Sequence, residues 1–153
     1  MIKKLFLTML LASTFSFASQ IEIEDAYVRA TPPAVQNSAV FMTIKNSSSK
    51  NILLVKASSD VAKVVELHTH EMKNGVMKMY QVQSIEILAN KEVSLNPGGY
   101  HIMLIGLNKA LKVDDTITLK LVFSDNSTKE ITVPVRTIMD GMNHQNHKMM
   151  NHN

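Results

Sequence analysis

Thr116-Ile-Thr-Leu-Lys-Leu-Val-Phe123, then Ser124-Asp-Asn-Ser127, then Lys129-Glu-Ile-Thr-Val-Pro-Val135 is the stretch that decides the fold. Apolar residues recur at every second place on both sides of a turn-forming tetrad. Successive side chains of a strand point to opposite faces, so this is the pattern of two half-buried strands joined by a tight connection. Working outward, the same texture repeats. It appears in Ile21 and Ile23 up to Asp25, Ala39–Lys45, Ile52–Lys56, Lys63–His68, Met77–Val82, Glu92–Leu95 and Tyr100–Leu104. Isoleucine, valine and threonine dominate these runs, and each suits a pleated surface. Turn chemistry separates them: Asn46-Ser-Ser-Ser, Lys73-Asn-Gly75, Asn96-Pro-Gly-Gly99 and Asp114-Asp115. No segment carries a sustained 3.6-residue period, and no internal repeat or second domain is visible. Many short strands at regular spacing predict an all-β domain over 19–138, a Greek-key β-sandwich or barrel.

Composition narrows the function. The chain has 153 residues, 45% of them hydrophobic and 19% charged, too apolar for a disordered protein. Its net charge of +3 falls close to +1 without Lys3 and Lys4, far from the clustered basic excess of a nucleic-acid binder. Cysteine is absent. That excludes disulfides, thiolate catalysis, iron–sulfur clusters, cysteine zinc sites, a lipid-anchored cysteine and a blue-copper centre. Against this stand 11 methionines and 6 histidines in a chain without tryptophan.

The two ends differ from the middle. Met1-Ile-Lys-Lys, the apolar run Leu5–Ala12 and the small-residue stretch Ser13–Ser19 have the layout of a secretory signal peptide, with cleavage expected after Ala18. The apolar run is too short for a bilayer, which needs about 20 apolar residues. The expected mature chain, with no membrane span, then works in a bacterial periplasm. From Met139 the composition loses its β-branched and aromatic residues, and 139–153 reads as a flexible His/Met-rich tail.

Within the domain, histidine and methionine gather in three places: Glu66-Leu-His68-Thr-His70-Glu-Met72, Gly75-Val-Met77-Lys-Met79 and Pro97-Gly-Gly-Tyr-His101-Ile-Met103. Residues two apart on a strand share a face, so His68 pairs with His70, Met77 with Met79, and His101 with Met103. An Asn74-Gly75 turn would fold the first segment onto the second. Methionine in a β domain is usually core packing, and that is the ordinary expectation for Met42 and for Met77. The grouping with every histidine of the domain points elsewhere for the rest. Thioether and imidazole are neutral donors; thioether sulfur suits Cu(I) and serves Zn²⁺, Ca²⁺ or Mg²⁺ poorly. Without a cysteine the electron-transfer centre is excluded, which leaves a Cu(I) site built to hold and pass on the ion.

These residues resemble the periplasmic copper chaperones of the PCu(A)C family. That family's signature is His, ten residues, Met, twenty-one residues, then His-x-Met. His68, Met79, His101 and Met103 match it without a gap. Glu66-Leu-His68, Gly75–Met79, Pro97–Leu104, Ala26–Pro33 and Asn37–Val40 are also similar, so the likeness spans about residues 20 to 136. The resemblance implies a cupredoxin-like β-barrel with an exposed Cu(I) site of His68, Met79, His101 and Met103 at one end. It also implies delivery of copper to a membrane-bound respiratory haem–copper oxidase subunit, typically its dinuclear copper A centre, or to another copper chaperone. Some members carry a C-terminal extension for Cu(II). The tail residues Met139, Met142, His144, His147, Met149, Met150 and His152 look like one, against the plainer reading of a solubilising or cleaved tail. His70 lies outside the signature and is a candidate support or alternative ligand during transfer.

The expected function is therefore a carrier, not an enzyme. Cu(I) would move by ligand exchange to a tighter thiolate site. Two other readings stay open on sequence grounds: a copper-buffering protein for tolerance, and a β-sandwich adhesion or assembly module whose Met and His are incidental. Lys73 and Lys78 flank the site and could steer an acidic partner, although scattered surface lysines are normal.

Overall fold

In the computed structural model the described residues are 20–137. The signal segment expected over 1–18 and the tail over 139–153 lie outside them. Ten strands follow one another: β1 Ile21–Arg29, β2 Asn37–Asn46, β3 Ile52–Ser58, β4 Ala62–Lys73, β5 Val76–Gln81, β6 Ile85–Ile87, β7 Lys91–Leu95, β8 His101–Leu107, β9 Thr116–Phe123 and β10 Thr128–Arg136. There is no helix among the described residues, hence none able to cross a membrane.

The strands hydrogen-bond in the order β5-β4-β8-β2-β1-β10-β9-β3-β6, with β7 added along the later half of β2. One half of this ribbon is β5-β4-β8-β2-β1, the other β10-β9-β3-β6. The halves meet through a short parallel pairing, Val28 with Val135 and Arg29 with Arg136. They close over a single core: Val40, Met42, Ile102 and Leu104 from the first half meet Leu54, Leu119, Leu121 and Phe123 from the second. The chain changes halves repeatedly, at β2 to β3, β3 to β4, β5 to β6, β6 to β7 and β8 to β9. That is the crossing connectivity of a Greek-key sandwich, so the all-β expectation holds.

The deciding hairpin forms as read. Residues of β9 pair antiparallel with β10 from Val122–Thr128 to Thr116–Pro134. Asp125 accepts from the Ser127 amide at 2.9 Å and from its hydroxyl at 2.6 Å, which holds the tight connection. Two features differ from the sequence reading. Strand β6 was not expected; three residues carry too little alternation to register. It pairs antiparallel with β3, Ile52 with Ile87 to Leu54 with Ile85, and Asn46 ties its end, its buried Nδ2 donating to the carbonyls of Ile87 at 3.1 Å and Lys50 at 2.8 Å. Met42 is core as expected, but Met77 is not: it is 52% exposed, because β5 is an edge strand with every residue on the surface.

Candidate metal site

Two turns build the site. Asn74 and Gly75 both have positive φ, 53° and 75°, the type I′ geometry whose twist matches a two-residue hairpin. This turn fixes the β4–β5 register, so His70 lies opposite Met79, Met72 opposite Met77, and His68 opposite Gln81. The second turn is Asn96-Pro97-Gly98-Gly99. Pro97 supplies its fixed φ, Gly98 the positive φ of 86°, and the Gly99 amide donates to the Asn96 carbonyl at 3.0 Å. It ends two residues before β8, with the Gly99 carbonyl turned toward His101.

Register then assembles the ligand types on one face. β8 lies between β4 and β2: His101 pairs with His68, Met103 with Glu66 on one side and with Ala39 on the other. Ile102 and Leu104, the alternate residues of β8, point into the core. Hence His68, His70, His101 and Met103 share the outer face of this half, and Met79 joins them across β5. The imidazole centroids of His68 and His70 lie 5.8 Å and 5.1 Å from that of His101.

His101 is the fixed point. It is 3% exposed, beneath the β4–β5 hairpin and beside Phe41, whose ring centroid is 6.2 Å away. Arg29 in turn lies over the Phe41 ring at 5.5 Å. His101 Nδ1 is 3.0 Å from the Gly99 carbonyl, which can only accept, so Nδ1 carries the proton. Nε2 is left with its lone pair and faces Met79 Sδ at 3.1 Å. Two lone-pair donors thus point at each other. Burial holds the His101 pKa below 6.5; the neighbouring His70, His68 and Arg29 add to this, and the Gly99 hydrogen bond partly opposes it. The ring is therefore neutral and able to bind a metal at neutral pH.

His68 is fixed the other way round. Its Nε2 donates to Glu66 Oε2 at 2.7 Å, and its Nδ1 is buried without a partner. A carboxylate holding the far nitrogen of a histidine is the usual support of a metal-binding imidazole. His70 Nδ1 lies 3.4 Å from the Gly99 carbonyl, a weak contact. A cavity of about 320 Å³ opens here, lined among others by Arg29, Phe41, His70, Met79, His101 and Met103. His68 does not line it. Met79 is the accessible edge, 46% exposed. The site thus has a buried floor and an open rim, which differs from an exposed site throughout. Among the described residues no group of three or more histidine or acidic side chains is placed to hold a metal. The donor set reaches three or more only with methionine sulfur. Sequence reasoning missed Glu66 as a partner of His68; its only signal was a carboxylate two residues away on the same strand face.

A family model described as "Putative lipoprotein LpqE-like" matches residues 21–135. The chain belongs to the LpqE-like family. A member-like relative, "Putative lipoprotein Lxx21020" of Leifsonia xyli subsp. xyli (strain CTCB07), is 36% identical over 120 residues, 78% of this chain and 71% of that protein. Among solved structures, the solution structure of CuI-DR1885 from Deinococcus radiodurans is similar at 31% identity, covering 76% of this chain and 78% of that one, with a TM-score of 0.59. The copper-bound PCuAC domain from PmoF2 has the same fold at 22% identity and a TM-score of 0.67, over 78% of this chain and 94% of that one. The PCu(A)C resemblance and its cupredoxin-like sandwich are thus borne out for this LpqE-like chain.

Proposed function

We propose that this protein is a Cu(I) carrier that holds the ion among His68, Met79, His101 and Met103 and passes it to a partner by ligand exchange. The observation that carries the reading is the His101–Met79 pair. The Gly99 carbonyl commits the proton of His101 to Nδ1, so Nε2 and a thioether face each other at 3.1 Å with no proton to share. A soft cation between them turns an unfavourable contact into two bonds. His68, fixed by Glu66, would offer Nδ1. The likeness to a protein solved with Cu(I) at 31% identity supports the same cargo.

The chemistry of transfer follows from the donors. All four are neutral, so the bound ion keeps its charge, and a recipient thiolate binds it more tightly. Met79 at the open rim is the ligand a recipient displaces first, while buried His101 is the last to let go. The likeness to a protein solved with Cu(I) favours a carrier over an enzyme. The recipient we favour is a membrane-bound respiratory oxidase subunit, reached in the periplasm, with the His/Met-rich tail gathering Cu(II) or Cu(I) nearby.

The test is an anaerobic Cu(I) titration of the protein against a chromophoric Cu(I) chelator, with Met79→Ala and His101→Ala alongside. One tight equivalent that both substitutions abolish is the expected result. Unchanged competition in both variants would refute the site. Oxidase activity at low copper and survival at high copper, measured in a deletion strain, then separate delivery from buffering.

A further inference from the structure

Met72 and Met77 belong neither to the four-residue pattern nor to the core. They are 60% and 52% exposed, and two such thioethers directly opposite each other on a surface hairpin call for a reason. The turn supplies the geometry. In a two-residue hairpin the residues flanking the turn, here Lys73 and Val76, form a hydrogen-bonded pair, and the pairs beyond alternate. Met72–Met77 and His70–Met79 are therefore both non-hydrogen-bonded pairs, the kind whose side chains approach most closely, with Cβ atoms about 4.5–5.5 Å apart. Both pairs stand on the same face, because they are two residues apart on each strand. One step along the hairpin is about 7 Å, within the reach of long, unbranched thioether side chains. A row of neutral thioether and imidazole donors thus runs from the hairpin tip, Met72–Met77, through His70–Met79, to buried His101.

We infer that Met72 and Met77 form a second, weaker site for a soft monovalent cation, Cu(I) or Ag(I), at which the ion enters before passing to the His101 site. The inference rests on the carrier reading above. Two neutral thioethers on the surface bind such an ion without charge and release it readily, as a point of entry requires. His70, between the two positions, can take the ion from Met72 while Met79 is still free. The ion keeps its oxidation state throughout, and each step makes one metal–donor bond as another breaks. The non-soft alternative, packing against a partner's apolar surface, would need no matched pair.

The experiment follows the methionine methyl groups of the full chain by NMR, with the methyls ¹³C-labelled and assigned. Cu(I) is added anaerobically in steps to excess. Met79 and Met103 are expected to shift first, and Met72 and Met77 later and together. Met72→Leu, nearly isosteric on an exposed strand, is expected to abolish the Met77 shift and leave those of Met79 and Met103 intact. Met72 and Met77 methyls that stay unmoved in excess Cu(I), or a Met77 shift that persists in Met72→Leu, overturn the second site. The carrier reading fails separately, if Met79 and Met103 do not respond. Repeating the series with Ag(I), a soft monovalent ion that stays in one oxidation state, is expected to give the same order of shifts; Met72 and Met77 methyls unmoved by both ions would overturn the inference.

Discussion

Replacing Glu66 by alanine tests the logic of the site more sharply than removing a ligand. Glu66 touches no ion in the proposed arrangement. It accepts the Nε2 proton of His68 at 2.7 Å and so leaves Nδ1 as the free nitrogen. Its side chain is 27% exposed and that of His68 14%, so the bond lies partly out of water. A supporting hydrogen bond to a metal-binding histidine changes affinity by about 10–100-fold when removed, which is about 1.4–2.7 kcal/mol. The same bond contributes to folding too, by no more than the usual value of about 1.5–3 kcal/mol for a hydrogen bond to a charged group, reduced by solvent at this exposure. The expected outcome for Glu66→Ala is a Cu(I) affinity lower by about tenfold or more. Thermal stability should fall only modestly, by less than that hydrogen-bond value, because the side chain is outside the core and partly in water. Competition with a chromophoric Cu(I) chelator measures the first, and a melting curve the second. Glu66→Gln keeps an acceptor oxygen and should fall between. If Glu66→Ala binds within twofold of the parent while His68→Ala does not, the argument that the carboxylate sets the His68 ring is wrong.

Other expectations concern the frame and the proton. Gly75→Val strains a residue at φ 75° where no atom lies within 4 Å of an added Cβ, so the effect is conformational. It should cost about 1–2 kcal/mol and weaken copper binding by loosening the His70–Met79 register; equal affinity would show that the turn does not set the site. Leu104→Ala empties a fully buried place next to the β8 site residues; chemical denaturation should show a loss of about 2–5 kcal/mol. The His101 ring of the copper-free protein should titrate below 6.5 by NMR. Above 6.5 the ring is neutral folded or unfolded and contributes nothing. Below it the unfolded chain takes up a proton first, so stability should fall as pH drops from about 6.5 to the folded pKa. A ring that titrates at 6.5 or higher contradicts this.

Much of this could be read along the chain. Alternation marked nine of the ten strands, and the Asn74-Gly75 turn fixes which residues of β4 and β5 face each other. The position of His101 two residues after a Pro-Gly turn was also local information. The remainder depends on contacts distant in sequence or on rotamers. His101 is buried because Phe41, sixty residues earlier, comes beside it through the β2–β8 pairing. The parallel contact of β1 and β10 joins the two ends of the domain, which no local pattern encodes. The Glu66–His68 bond depends on how two side chains rotate. Met77 misled for a simple reason: alternation tells which residues share a face, but not whether that face is covered.

The parallel joining of first and last strands has a practical side. Arg136 pairs with Arg29, and Arg29 lines the cavity beside His101. Whatever directly follows Thr137 therefore starts beside the strand that brings Arg29 to the cavity. A polyhistidine purification tag there would offer its own imidazoles within reach of the rim and distort any affinity measured. A fluorophore attached at the same point would instead be well placed to report on loading, so tags belong at the other end and reporters at this one.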